Sequence, residues 1–244
     1  MDLTNMPGEQ AVSRKDGDSF IQGVKDCVPT LLGYISIGIA AGVVQKTAGL
    51  SLAEITLMCL ILYAGSAQFI AVGMMASGGS AAAIMITTLF VNLRYLLLSA
   101  SLSPYFRHLK PLQGLWAGAL LSDETFGVAV NKAAEKNRIE FQWMNGLNLT
   151  AYFTWWLANL AGALLGQWIT NPERFGLDYA LTGMFIGLLV LTLMSRRTWK
   201  PDLTAAAAAI VCVVGASFIF SGSLGIIAAT IAASTIGMVI EKWK

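Results

Sequence analysis

Eight stretches of about 17 to 27 mainly apolar residues divide the chain, each long enough to cross the roughly 30 Å hydrocarbon core of a bilayer as a helix. They cover residues 28–45, 55–75, 81–103, 114–131, 143–169, 178–195, 204–220 and 224–240. With 56% hydrophobic and only 12% charged residues, the chain has too little polar material to cover a soluble domain. Lipid is therefore the expected solvent, and helices of this length satisfy their own backbone there. The expected fold is an all-α, polytopic transmembrane helical bundle. Ser221-Gly222-Ser223 separates the last two stretches and leaves both seven and eight spans open.

Basic residues orient such a bundle. Eight spans with both termini cytoplasmic place Arg14, Lys15, Lys25, Lys132, Lys136, Arg138, Arg196, Arg197, Lys200, Lys242 and Lys244 inside, against Lys46, Arg107, Lys110 and Arg174 outside. That asymmetry is the positive-inside pattern. Residues 1–19 mix charges without an apolar core and read as a polar cytoplasmic tail rather than a signal peptide. Residues 20–241 are expected to form a single transmembrane domain, and 242–244 a cytoplasmic end. Gly49-Leu50 before the second span echoes Gly176-Leu177 before the sixth, the trace expected of a parallel four-plus-four duplication. Glycine pairs four apart, Gly38/Gly42, Gly114/Gly118, Gly162/Gly166 and Gly183/Gly187, suit close helix packing.

Several function classes fall away. A net charge of +2 offers no electrostatic footprint for nucleic acid. Cys27, Cys59 and Cys212 are odd in number and lie in apolar runs, and His108 is the lone histidine, so no disulfide framework, metal site or cofactor is expected. No Walker A loop, G-x-G-x-x-G, G-x-S-x-G or H-E-x-x-H occurs, which argues against an enzyme and against ATP-driven transport by this chain alone.

The charges that remain inside apolar stretches are Arg94, Asp123 and Glu124. Each costs roughly 2.5 to 3.5 kcal/mol at a helix centre, so a partner or a water-filled path is required. Arg94 and the two carboxylates lie near the middle of consecutive stretches, which favours an ion pair. Adjacent helical residues point about 100° apart, so one carboxylate pairs with Arg94 while the other faces a pathway, suited to taking up and releasing a proton.

A second polar feature is Tyr63-Ala64-Gly65-Ser66-Ala67-Gln68-Phe69, where Gly65 and Ser66 weaken the helix and Gln68 places an amide in hydrocarbon. A helix broken in the second span fits this pattern; the other reading is a continuous helix whose small residues allow close packing. A break would turn N–H groups and a positive dipole end toward the midplane. Asn92 and Tyr95 flank Arg94 on a shared face, as substrate contacts or as support. Asn159 with Trp155 reads as bundle packing.

Four blocks now stand out: Lys25-Asp26-Cys27-Val28-Pro29, the 63–69 segment, Asn92-Leu93-Arg94-Tyr95, and Leu121-Ser122-Asp123-Glu124-Thr125-Phe126. In their order and spacing the chain resembles the AzlC-type branched-chain amino acid permeases, the large subunits of two-component bacterial amino acid exporters. The resemblance spans the chain and is strongest over residues 20–130; Asn92 departs from it, because an acidic residue can hold that place, and this puts a carried-over proton role there in doubt. It implies export of leucine, isoleucine and valine, with methionine as a further candidate, across the bacterial inner membrane, together with a small AzlD-type membrane subunit; proton coupling is the expectation drawn from the carboxylate left without Arg94. The chemistry is compatible: the N–H groups of Gly65, Ser66 and Gln68, with Arg94, suit a substrate carboxylate, and Asp123 or Glu124 an ammonium. Phe69, Tyr95 and Phe126 suit the apolar side chain, with Asn92 beside them. The rival classes are a passive channel for small solutes and a structural or sensory membrane subunit that holds the same charges as a locked network.

Overall fold

The computed structural model describes residues 18–168 and 200–219, together with positions 179, 183, 186, 190, 232, 235 and 236. Every extended element among them is helical, as expected for an all-α membrane protein. Residues up to 180 form one compact unit and residues from 181 a second. In the second, helix α8 (Lys200–Ile219) overlaps the seventh apolar stretch. The sixth and eighth stretches and Gly176-Leu177 fall outside the continuously described residues.

The first unit is built on α1 (Phe20–Thr47) and α7 (Phe141–Gly166). Ser19 caps α1 by accepting a hydrogen bond from the Gln22 N–H. At 28 residues α1 is about 42 Å long, enough to cross a bilayer. The two helices run parallel and touch backbone to backbone along their length. Gly23 lies against Trp143, Gly42 against Asn159 and Ala163, and Gly166 against Val43. A Cβ on Gly23 or Gly42 would run into the Trp143 or Asn159 carbonyl, so only glycine permits this approach. The pairs Gly38/Gly42 and Gly162/Gly166 thus do the packing expected of them.

The second apolar stretch is broken, and it does not cross. Helix α2 (Leu52–Ile61) starts on a Ser51/Glu54 capping box, in which the Ser51 hydroxyl and N–H also hold the Glu54 carboxyl below its ordinary range. It stops at Leu62, and Ala64 is extended before α3 (Gly65–Ala76) begins. In one straight helix Gln68 would stand about 15 Å beyond Met58. Instead its amide donates to the Met58 carbonyl at 3.1 Å and the Leu62 carbonyl at 2.7 Å. The chain therefore folds back, and Gln68 meets Gln45 near the Thr47 end of α1, the end from which α2 set out.

From there α4 (Ala81–Leu102) traverses the bundle to a short 3-10 turn, Ser103–Phe106, near the Ser19 end. With α1 it is one of two described helices long and apolar enough to cross a membrane by length and composition.

The fourth stretch also folds back, which corrects the expectation of a continuous span over 114–131. Helix α5 (Pro111–Ala119) is followed by a break at 120–122 and by α6 (Asp123–Lys136). Both ends of this segment sit at the Ser19 end: the Ile139 N–H donates to the Tyr105 carbonyl, His108 lies 3.8 Å from Glu140, and Lys136 pairs with Asp18 at 2.8 Å. Its tip reaches mid-bundle, where Tyr34 of α1 meets Ser122. Hydropathy missed this because two short arms contain as many apolar residues as one crossing.

Two hairpins thus enter from opposite ends, each followed by a long helix that runs the length of the bundle. The plan α2–α3–α4, with 10, 12 and 22 residues, recurs in the opposite sense as α5–α6–α7, with 9, 14 and 26. The parallel four-plus-four duplication pairs the first four stretches with the last four, of which the sixth and eighth lie outside the continuously described residues. The inverted plan also moves Arg107 and Lys110 to the end that holds Lys25, Lys132, Lys136 and Arg138.

The glycine seam yields a direct check. Gly42→Ala is expected to lower stability in detergent by about 1–3 kcal/mol through overpacking. Gly33→Ala, where an added Cβ meets nothing within 4 Å, should leave the unfolding midpoint unchanged.

Candidate functional site

The two hairpin tips meet at mid-bundle, and each starts a half-helix there. A half-helix presents unsatisfied N–H groups and the positive end of its dipole. At the second tip this end is filled from within: the Ser122 hydroxyl accepts from the Thr125 N–H at 3.3 Å, and Asp123 and Glu124 occupy the first turn. At the first tip Ala64 stands in the cap position, and no side chain among the described residues caps α3.

Arg94 of α4 bridges the tips. One of its terminal nitrogens lies 2.8 Å from Asp123 Oδ2 and donates to Ser66 Oγ, also at 2.8 Å. The same nitrogen donates to the Tyr95 hydroxyl at 3.2 Å, and the guanidinium sits over the Tyr95 ring. Asp123 is thus the carboxylate that pairs, and Glu124 points elsewhere. Glu124 lies beside the Tyr34 and Ser122 hydroxyls.

A second bridge was not legible in the sequence. Tyr34, buried in α1, donates to Ser122 at the second tip and shares a hydrogen bond of 3.2 Å with Tyr63 at the first. The edge of Trp155 packs on its ring. Around the junction run Ser66, Arg94, Asp123, Ser122, Tyr34 and Tyr63, a ring of polar groups drawn from four helices and the first tip.

The other expected contacts have different posts. Gln68 is fully buried, and its amide is saturated: two carbonyls take its N–H groups, while its oxygen accepts from Trp155 Nε1 at 3.1 Å and Gln45 Nε2 at 3.5 Å. It braces the first tip and has no hydrogen-bonding capacity left for a substrate. Phe69 is buried beside it in sequence, and Gly65 lies beneath the Trp155 indole. Asn92 carries a buried Oδ1 with no hydrogen-bond partner among the described residues.

Helix α7 holds both hairpins through one stripe. Asn145 accepts from Trp116, and Asn148 donates to the Ala117 carbonyl of α5. Higher up, Tyr152 donates to the Leu60 carbonyl of α2, and Trp155 donates to Gln68. Asn159 accepts from Gln45 at 2.9 Å. The spacing 145, 148, 152, 155, 159 alternates three and four and was readable as a polar helix face. The break at the second tip also had a signal: Ser122 followed by Asp123, Glu124 and Thr125 is a helix start set inside an apolar run.

The family described as AzlC protein matches residues 29–169, more than half of the chain, including both hairpins and the helices that carry the junction. The chain belongs to this family. It is 27% identical to Inner membrane protein YgaZ of Escherichia coli (strain K12), over 93% of this chain and 92% of that one. It is 25% identical to a membrane protein of Archaeoglobus fulgidus, over 92% and 94% of the two chains. With the Branched-chain amino acid transport protein AzlC of Bacillus subtilis (strain 168) it shares 24% identity over 88% of this chain and 82% of that one. No solved structure matches it. Membership places the chain in a transport family of membrane proteins, and the matched segment contains the geometry set out above.

The Arg94–Asp123 bridge is open to a double-mutant cycle. Arg94→Gln and Asp123→Asn should each destabilise the protein, and the pair together by less than their sum, with a coupling of about 1–3 kcal/mol. Urea unfolding in micelles, followed by tryptophan fluorescence, measures it; additive losses would mean the two side chains do not interact.

Proposed function

We propose that the chain is a secondary transporter that exports branched-chain amino acids, leucine, isoleucine and valine with methionine as a further candidate, in exchange for protons. It works in the bacterial inner membrane as the large subunit beside a small AzlD-type membrane protein. The observation that carries this reading is the meeting of two opposed tips of unlike polarity. The uncapped N–H groups of Gly65 and Ser66, with Arg94, form a positive pole, and Asp123 with Glu124 forms a negative one. A zwitterion laid between them finds donors for its carboxylate and acceptors for its ammonium.

The orientation follows from the folded-back arms. Lys25, Arg107, Lys110, Lys132, Lys136 and Arg138 share the Ser19 end, while Lys46 stands at the other. Under the positive-inside pattern the Ser19 end is cytoplasmic, and this asymmetry is sharper than the one eight simple crossings would produce. The name of the Bacillus subtilis relative supports the substrate class.

Proton coupling is assigned to Glu124. With Asp123 held by Arg94, Glu124 is the carboxylate free to exchange its proton as the substrate ammonium arrives or leaves. Binding of either then biases the other through one site. Glu124→Gln should abolish leucine efflux driven by a pH gradient while retaining leucine–leucine counterflow, which needs no net proton movement. Efflux from leucine-loaded cells at the wild-type rate in this variant would refute the assignment.

A further inference from the structure

A cavity of about 320 Å³ lies apart from the tip junction, between the last turns of α4 and the α5 arm of the second hairpin. Its volume is in the range of pockets for small molecules. Arg107 and Lys110 stand at its rim, both exposed, and no carboxylate lines it among the described residues. Its inner walls are apolar, with Leu102 and Leu121 buried and Gly114 leaving space where another residue would fill it.

The cavity ends where the junction begins. Ser99, on its wall, is one helical turn from Tyr95, and Leu121 immediately precedes Ser122, the cap that carries Asp123 and Glu124. A molecule entering at the Ser19 end would therefore stop against the second tip, one residue short of the negative pole. The charge at the rim selects an anionic group, and the walls select an apolar one.

We infer that this cavity is the entry port of the pathway: it takes a small amphipathic α-amino acid, its carboxylate on Arg107 and Lys110 and its side chain against Leu102 and Leu121, before the second tip admits it. The inference rests on the transport reading and adds a second, outer binding step to it. An anionic lipid phosphate with its acyl chain has the same chemistry, so the test must separate the two sources.

Labelled leucine supplied from the Ser19 side to oriented proteoliposomes is the probe, in phosphatidylcholine alone and with added phosphatidylglycerol. The double variant Arg107→Ala/Lys110→Ala should raise KM about fivefold with Vmax unchanged in both lipids, and the wild-type KM should climb with salt while that of the variant stays flat. Gly114→Leu, where an added Cβ meets nothing within 4 Å, should keep the wild-type melting temperature while cutting flux severalfold by filling the cavity. Arg138→Ala, at the same end but outside the cavity, should change neither constant. An unmoved KM in the double variant with normal wild-type flux overturns the port alone. A KM shift confined to phosphatidylglycerol vesicles also overturns it, because the cations would then be holding lipid. A wild-type protein that carries no leucine flux, alone or together with a small AzlD-type subunit, overturns the transport reading and the port with it.

Discussion

A helix that stops inside hydrocarbon leaves carbonyl and N–H groups that lipid cannot satisfy, and both hairpins must meet that demand at mid-bundle. They meet it with side chains. Gln68 takes the Met58 and Leu62 carbonyls, and Tyr152 takes that of Leu60. Asn148 takes the Ala117 carbonyl, and Ser122 serves the Thr125 N–H. Against this accounting, the start of α3 has no side-chain cap among the described residues. That open end is what the transport proposal assigns to the carboxylate of a substrate.

The supports for these tips come largely from α7, and α7 is positioned by glycine. Backbone contact with α1 fixes which face of α7 turns inward. That face carries the amides, the tyrosine and the tryptophan at intervals of three and four, its lower members holding the second hairpin and its upper members the first. Because α1 contributes Tyr34 to both tips, the seam of small residues and the polar junction form one mechanical system. The Arg94 bridge lies across the junction, so any movement that parts the tips must break it or carry it along.

Much of the junction was legible before any coordinates. Arg94, Asp123 and Glu124 stood out because a charge in an apolar run requires a reason, and the structure joins the first two as the spacing suggested. Ser66 was legible from the weak helix around it. Gln68 drew notice for the right cause and the wrong use, since an amide in lipid must find partners but the residue type does not say whether those partners are backbone or substrate. Tyr34 carried no signal, being one hydroxyl in a long apolar helix. The break at 120–122 did carry one, in Ser122 and the acidic turn after it, but the hydropathy of its surroundings outweighed it.

By itself the sequence determined the solvent, the helical class and the residues that lipid would not tolerate alone. These are properties of composition and of local spacing, and they hold whichever way the chain turns. Whether an apolar segment crosses or returns was decided only by tertiary structure, because the two paths bury the same side chains and differ in which distant carbonyl each amide reaches. That choice sets the end at which Arg107 and Lys110 lie, opposes the two tips, and brings a positive pole and a negative pole together at the centre of the unit.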